Sequence, residues 1–186
     1  MKHRQQRWRR LTSTRPTIKD DMGPEIYKVA DIGRGYLAVM AKPVAGEWID
    51  DEFAGIARYG ISGMVSLLER HEIHELGLVN APALCASNGI AFTHFPIADR
   101  GLPGVPGVFA LVQALGRRIE DGEHIVIHCR AGIGRTGLMA AAVLVRHGWT
   151  PEAAFRQVSA ARGVQVPDTP EQLAWVGTHQ KRLLTA

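Results

Sequence analysis

Cysteine is scarce in this chain of 186 residues: there are two, Cys85 and Cys129. Two thiols do not make the disulfide scaffold of a small secreted domain, and they suit a reducing compartment. No run of about 18 apolar residues occurs, which argues against a membrane-spanning helix. No apolar stretch follows Arg9-Arg10, so neither a secretory nor a twin-arginine signal is complete, and a cytoplasmic protein is expected. Metal-ligand spacing is missing as well. The eight histidines and two cysteines form no zinc pattern, and His71 and His74 read as a solvated helix end. No metal and no cofactor is therefore expected. The triplet Gly-Lys-Ser/Thr is absent too, which excludes the nucleoside-triphosphate loop.

Acidic residues are lacking at the start of the chain. Residues 1–19 hold Lys2, Arg4, Arg7, Arg9, Arg10, Arg15 and Lys19 and no acid. Of the net charge of +4, residues 20–186 therefore carry −3. Residues 1–20 read as a basic, solvated extension able to touch anionic surfaces, with no requirement for nucleic acid. Residues 21–186 read as one globular domain, in keeping with 46% hydrophobic and 22% charged residues overall.

Within that body, residues 26–31 and 36–41 read as short strands joined by a Gly33-Arg34-Gly35 turn. Residues 47–59 carry Trp48, Ile49, Phe53, Ile56 and Ala57 at helical spacing. Strands are expected at 61–68, 90–95 and 124–128, and helices at 82–87, 108–120, 137–147, 150–162 and 170–184. The Gly- and Pro-rich residues 99–107 read as a loop. Thr150-Pro151-Glu152 is a strong helix start. Strands separated by helices imply an α/β fold, a mainly parallel central sheet flanked by helices.

The informative stretch is His128-Cys129-Arg130-Ala131-Gly132-Ile133-Gly134-Arg135-Thr136-Gly137, between a buried strand and an apolar helix. Ligands in parallel α/β sheets bind at the carboxyl ends of strands. A helix N-terminus offers unpaired N–H groups and partial positive charge. Arg130, Ala131, Gly132, Ile133 and Gly134 can bend those N–H groups around one tetrahedral anion, and Arg135 can add a two-pronged contact to phosphate oxygens. The same field favours the thiolate of Cys129 over the thiol, against a reference pKa of about 8.5. A thiolate at the base of a phosphate cradle is a nucleophile. Thr136 can donate to the sulfur. His128 can support the thiolate or serve as a core histidine.

This run resembles the signature of the cysteine-dependent protein tyrosine and dual-specificity phosphatases. Phe95-Pro96-Ile97-Ala98-Asp99-Arg100-Gly101-Leu102-Pro103 is similar to the general-acid loop of small dual-specificity enzymes, especially the cyclin-dependent-kinase-associated type. The resemblance implies a phosphocysteine intermediate on Cys129 and Asp99 as general acid and then base, with a carboxyl pKa raised for that role. Asp168 is the rival acid. Residues 163–167 resemble the segment where related enzymes place a water-positioning glutamine; Gln165 is the better match and Gln172 the weaker. Some relatives carry a resolving cysteine, but Cys85 reads better as a small buried hydrophobe. The implied substrate is a phosphorylated protein, at phosphotyrosine and also phosphoserine or phosphothreonine. A phosphoinositide is the alternative that Arg130 and the basic extension keep open, and a non-catalytic phosphate-recognition module is a further one. Gly132, Gly134 and Gly137 also match a dinucleotide-binding pattern, but the helix expected at 150–162 stands where that fold needs a strand.

Overall fold

The computed structural model describes residues 23–185. The basic extension expected at residues 1–20 lies outside them. The chain runs β1(Ile26–Ile32), β2(Gly35–Met40), α1(Ile49–Arg58), β3(Gly63–Ser66), α2(Arg70–Glu75), α3(Ala81–Ser87), β4(Ala91–His94), α4(Val105–Glu120), β5(His124–His128), α5(Gly134–Arg146), α6(Pro151–Arg162), α7(Pro170–Thr178) and α8(Gln180–Leu184). The five strands form one sheet in the order β1-β2-β5-β3-β4, antiparallel between β1 and β2 and parallel elsewhere. This is the mainly parallel α/β architecture expected from the sequence. No described helix is long and apolar enough to cross a membrane.

The period of two along each strand divides the core into two layers. Leu37, Val39, Val65, Ile125 and Ile127 face α4 to α8, while Ala38, Met40, Met64 and Val126 face α1 and α3. Strands covered on both sides need continuous apolar sequence, and Ile125-Val126-Ile127 supplies it at the centre of the sheet. Each large aliphatic side chain so buried contributes about 1.5–3 kcal/mol. The β1–β2 turn uses Gly33 at φ +58, with no room for a Cβ beside the Glu120 backbone.

Several boundaries differ from the sequence expectation for local reasons. β3 ends at Ser66, the last residue in register with β5, although Leu67 and Leu68 stay buried in opposite layers and the Leu67 N–H still donates to the His128 carbonyl at 2.9 Å. α4 begins at Val105, inside the segment expected as loop, since Pro106 fits the first helical turn. α5 begins at Gly134, within the signature itself. The single last helix divides into α7 and α8 at His179, whose ring nitrogen contacts the Trp175 carbonyl at 2.8 Å. The six-residue α2, which carries His71 and His74 at exposed positions, adds an element that matters for the site.

Candidate active site

β5 delivers the signature loop. Its last residue, His128, lies opposite Met40 of β2 and Ser66 of β3, after which the chain leaves the sheet at Cys129 and enters α5 at Gly134. The loop thus sits at the carboxyl end of the central strand, where open α/β sheets form their crevice.

The loop's carbonyls are held by neighbouring elements. The Lys42 N–H donates to the Arg130 carbonyl at 3.1 Å. Arg162 of α6 donates from Nη2 to the Ala131 carbonyl at 2.9 Å and from Nε to the Gly132 carbonyl at 3.3 Å, with its guanidinium over the Tyr27 ring. The backbone N–H groups of residues 130–134, by contrast, have no protein acceptor among the described residues. Carbonyls tied down and N–H groups left over make an anion cradle at a helix N-terminus. Gly132 is at φ +71 against the Met40 carbonyl, and a side chain there would collide with it.

Cys129 lies at the start of this loop, 3% exposed, and Arg135 in the first turn of α5 is 2% exposed. The Arg135 guanidinium is held through its two Nη atoms. Nη1 donates to Glu72 Oε2 at 2.6 Å and to the Ile97 carbonyl at 3.0 Å. Nη2 donates to Glu72 Oε1 at 2.9 Å and lies 3.1 Å from Asp99 Oδ1. Burial opposes the guanidinium's charge, but Glu72, Cys129 and Asp99 outweigh it and raise its pKa. The hydrogen bonds from Arg135 hold the Glu72 carboxyl below its usual range despite desolvation.

Glu72 is a site residue that the sequence reading missed. It is 1% exposed on α2, and its Oε2 also accepts the Glu69 N–H at 2.9 Å in a capping box. Glu69 Oε2 accepts the Asp99 N–H at 3.3 Å, and Glu75 pairs with the Arg130 guanidinium. Glutamates at 69, 72 and 75, spaced for one helix face, were the available signal.

Asp99 stands on the rim, its side chain 66% exposed. The Gly101 N–H closes a turn onto the Ala98 carbonyl at 2.8 Å, with Arg100 left-handed at φ 56. A non-glycine residue there is strained, a feature that gathers at functional sites. Asp168 is exposed, its carboxylate against Gly134 at the start of α5. Gln165 is exposed, with no side-chain hydrogen bond among the described residues. Gln172, the weaker match, is fully buried. Its Nε2 donates to the Gly101 carbonyl at 3.2 Å, and its Oε1, near Gly134, lacks a protein partner. Thr136 Oγ1 is likewise buried without a protein partner. Cys85 packs at 3.8 Å from Met64 Sδ, its thiol pushed up to about 12 by burial, so it stays neutral in the α1–α3 layer. A separate cavity of about 360 Å³ lies among Ile73, Leu78, Phe92, His94 and His128; none of residues 129–135 lines it.

The family model described as "Polymorphic toxin system, DSP-PTPase phosphatase" matches residues 38–149, which contain the loop, Arg135, Asp99 and Glu72. The chain belongs to this phosphatase family. Mouse cyclin-dependent kinase inhibitor 3 is 25% identical over 126 residues, 67% of this chain and 60% of that protein. The chain therefore spans about 60% of the length of the curated relatives it matches first. Among solved structures, a kinase associated phosphatase with its catalytic-site cysteine replaced by serine superposes with a TM-score of 0.78. It is 21% identical, and the match covers 89% of this chain and 98% of that one. PTPMT1 in complex with PI(5)P superposes at 0.70 with 20% identity, covering 86% of this chain and 97% of that one. At these identities the superpositions establish the fold, and they agree with a resemblance to the cyclin-dependent-kinase-associated type.

His128 is 2% exposed, and burial pushes its pKa down to about 4. Its Nδ1 lies 3.3 Å from the Cys129 carbonyl, so at neutral pH an uncharged ring braces the loop. In the unfolded chain a histidine titrates near 6.5, so between about 6.5 and 4 the unfolded state binds the proton first. Stability from this residue is thus complete above about pH 6.5 and is lost on acidification towards pH 4, by about 3 kcal/mol. Burial lowers His147 as well, which adds to the same window. Urea unfolding between these pH values is expected to show a clearly smaller acid loss for His128→Asn than for the wild type. Parallel curves would count against the assignment.

Proposed function

We propose that the chain hydrolyses phosphate monoesters on proteins, at phosphotyrosine and also phosphoserine or phosphothreonine, through a phosphocysteine intermediate on Cys129. The observation that carries the reading is the set of unpartnered N–H groups at residues 130–134, flanked by a buried cysteine and a buried arginine. Such an arrangement favours a trigonal phosphoryl group carrying charge on its equatorial oxygens. The reading places the protein in a reducing, cytoplasmic compartment, where the nucleophile stays reduced.

In the first step the Cys129 thiolate forms a bond to phosphorus, and the phosphorus–oxygen ester bond breaks. Arriving phosphate displaces Asp99 from Arg135 Nη2, and the freed, exposed carboxylate takes up a proton from solvent and passes it to the leaving oxygen. Glu72 keeps the guanidinium in place throughout. In the second step water attacks phosphorus, Asp99 takes its proton, and the sulfur leaves as thiolate, towards which the Thr136 hydroxyl, without a protein partner in the resting site, turns to donate. Buried Gln172, beside Gly134 and tied to the acid loop, is better placed than exposed Gln165 to orient that water.

Asp99→Ala is expected to lower kcat on an alkyl phosphate by about 10²–10³-fold, and on an aryl phosphate by tenfold or less. A phenolate leaves with little help from an acid. Equal losses on the two substrates would assign the proton to another group, Asp168 first.

A phosphoinositide monoester is the second reading, favoured by Arg130 as an additional cation in the loop. The Glu75–Arg130 pair counts against it. Comparing kcat/KM on a phosphotyrosine peptide with that on phosphoinositide vesicles decides between them. Tight phosphate binding with no turnover of either would leave a recognition module.

A further inference from the structure

Arg130 and Arg135 are the two cations of the loop, and they are held differently. Arg135 is enclosed with Glu72, each side chain 2% exposed, as part of the catalytic frame. Arg130 and Glu75 lie at the surface, with side chains 45% and 56% exposed. A pair so exposed adds little to stability and exchanges partners easily. Glu75 makes no other side-chain contact among the described hydrogen bonds and ion pairs.

The pair does, however, set the charge at the mouth. An unpaired Arg130 would put a guanidinium beside the phosphate cradle. Any substrate with a second phosphate nearby would gain a two-pronged, charge-assisted contact from it. With Glu75 in place the guanidinium is already paired, and the exposed carboxylates of Glu75 and Asp99 each pair with one of the two loop arginines. We infer that Glu75 is a specificity-determining residue, a charge filter that occupies Arg130 and turns the site towards singly phosphorylated segments over those with a second adjacent phosphate. This rests on the phosphatase reading above and adds the class of substrate it favours.

The test compares wild type with Glu75→Gln on three substrates: para-nitrophenyl phosphate, a singly phosphorylated tyrosine peptide, and that peptide with a neighbouring phosphothreonine. The ratio of kcat/KM for the doubly over the singly phosphorylated peptide is expected to rise by about five- to tenfold in the variant. Para-nitrophenyl phosphate, which has no second anion, should change by no more than about twofold. The rise should shrink at high salt, as an exposed charge effect does. An unchanged or lowered ratio with normal para-nitrophenyl phosphate turnover overturns the filter. So does a rise that persists unaltered at high salt. Calorimetric binding of both peptides in a Cys129→Ser background reads the same ratio without turnover. A shifted binding ratio with an inert wild type would uphold the filter and reject the phosphatase reading.

Discussion

Cys129→Ser is expected to lower turnover of para-nitrophenyl phosphate by at least about 10⁴-fold while leaving the affinity for inorganic phosphate within a few-fold. The two effects separate because they come from different atoms. The cradle consists of backbone N–H groups at residues 130–134 and the Arg135 guanidinium, none of which the substitution touches. The attacking atom alone changes, from a thiol sulfur to a far less nucleophilic hydroxyl oxygen. Steady-state kinetics and phosphate titration by calorimetry check both parts. Turnover near wild type would remove Cys129 from the mechanism, and lost phosphate binding would mean that the cradle had deformed.

Glu72→Gln carries the second large effect, on stability as well as rate. Arg135 is 2% exposed, and Glu72 supplies both oxygens of its bidentate partner. Removing the charge from one member of a buried pair leaves the other uncompensated, which costs about 3–5 kcal/mol. The guanidinium also loses its anchor, so kcat/KM is expected to fall by about 10²-fold, since a small misplacement of a positioning group is enough for that. Urea unfolding at neutral pH and kinetics in the absence of denaturant measure the two losses. A variant as stable and as active as the wild type would show that Ile97 and Asp99 suffice to hold Arg135.

The sheet and the loop were legible in the sequence because their signals are local. Ile125-Val126-Ile127 followed by Cys129, glycines and Arg135 announces a buried strand, a tight anion loop and a helix within a dozen residues. What could not be read is contact between distant segments. Glu72 meets Arg135 across 63 residues, and nothing in the chemistry of an isolated glutamate says which arginine it will face. The short α2 that presents it has little helix periodicity of its own, since six residues make fewer than two turns. The choice between Gln165 and Gln172 had the same cause. Gln165 was the better match because its segment resembles the family's loop, whereas the burial of Gln172 beside Gly134 comes from tertiary packing. Asp99 was placed from the resemblance of its loop, and its approach to Arg135 became visible only with the tertiary structure.

The central claim is the covalent intermediate, and trapping it is the most direct test. The enzyme is mixed with para-nitrophenyl phosphate, quenched in acid within the first turnovers and digested for mass spectrometry. The account predicts one added phosphoryl group on the peptide containing Cys129, enriched in Asp99→Ala if that carboxyl also activates water, and absent from Cys129→Ser. Steady turnover with no phosphoryl group on Cys129 at any quench time, or the same label persisting in Cys129→Ser, would contradict it.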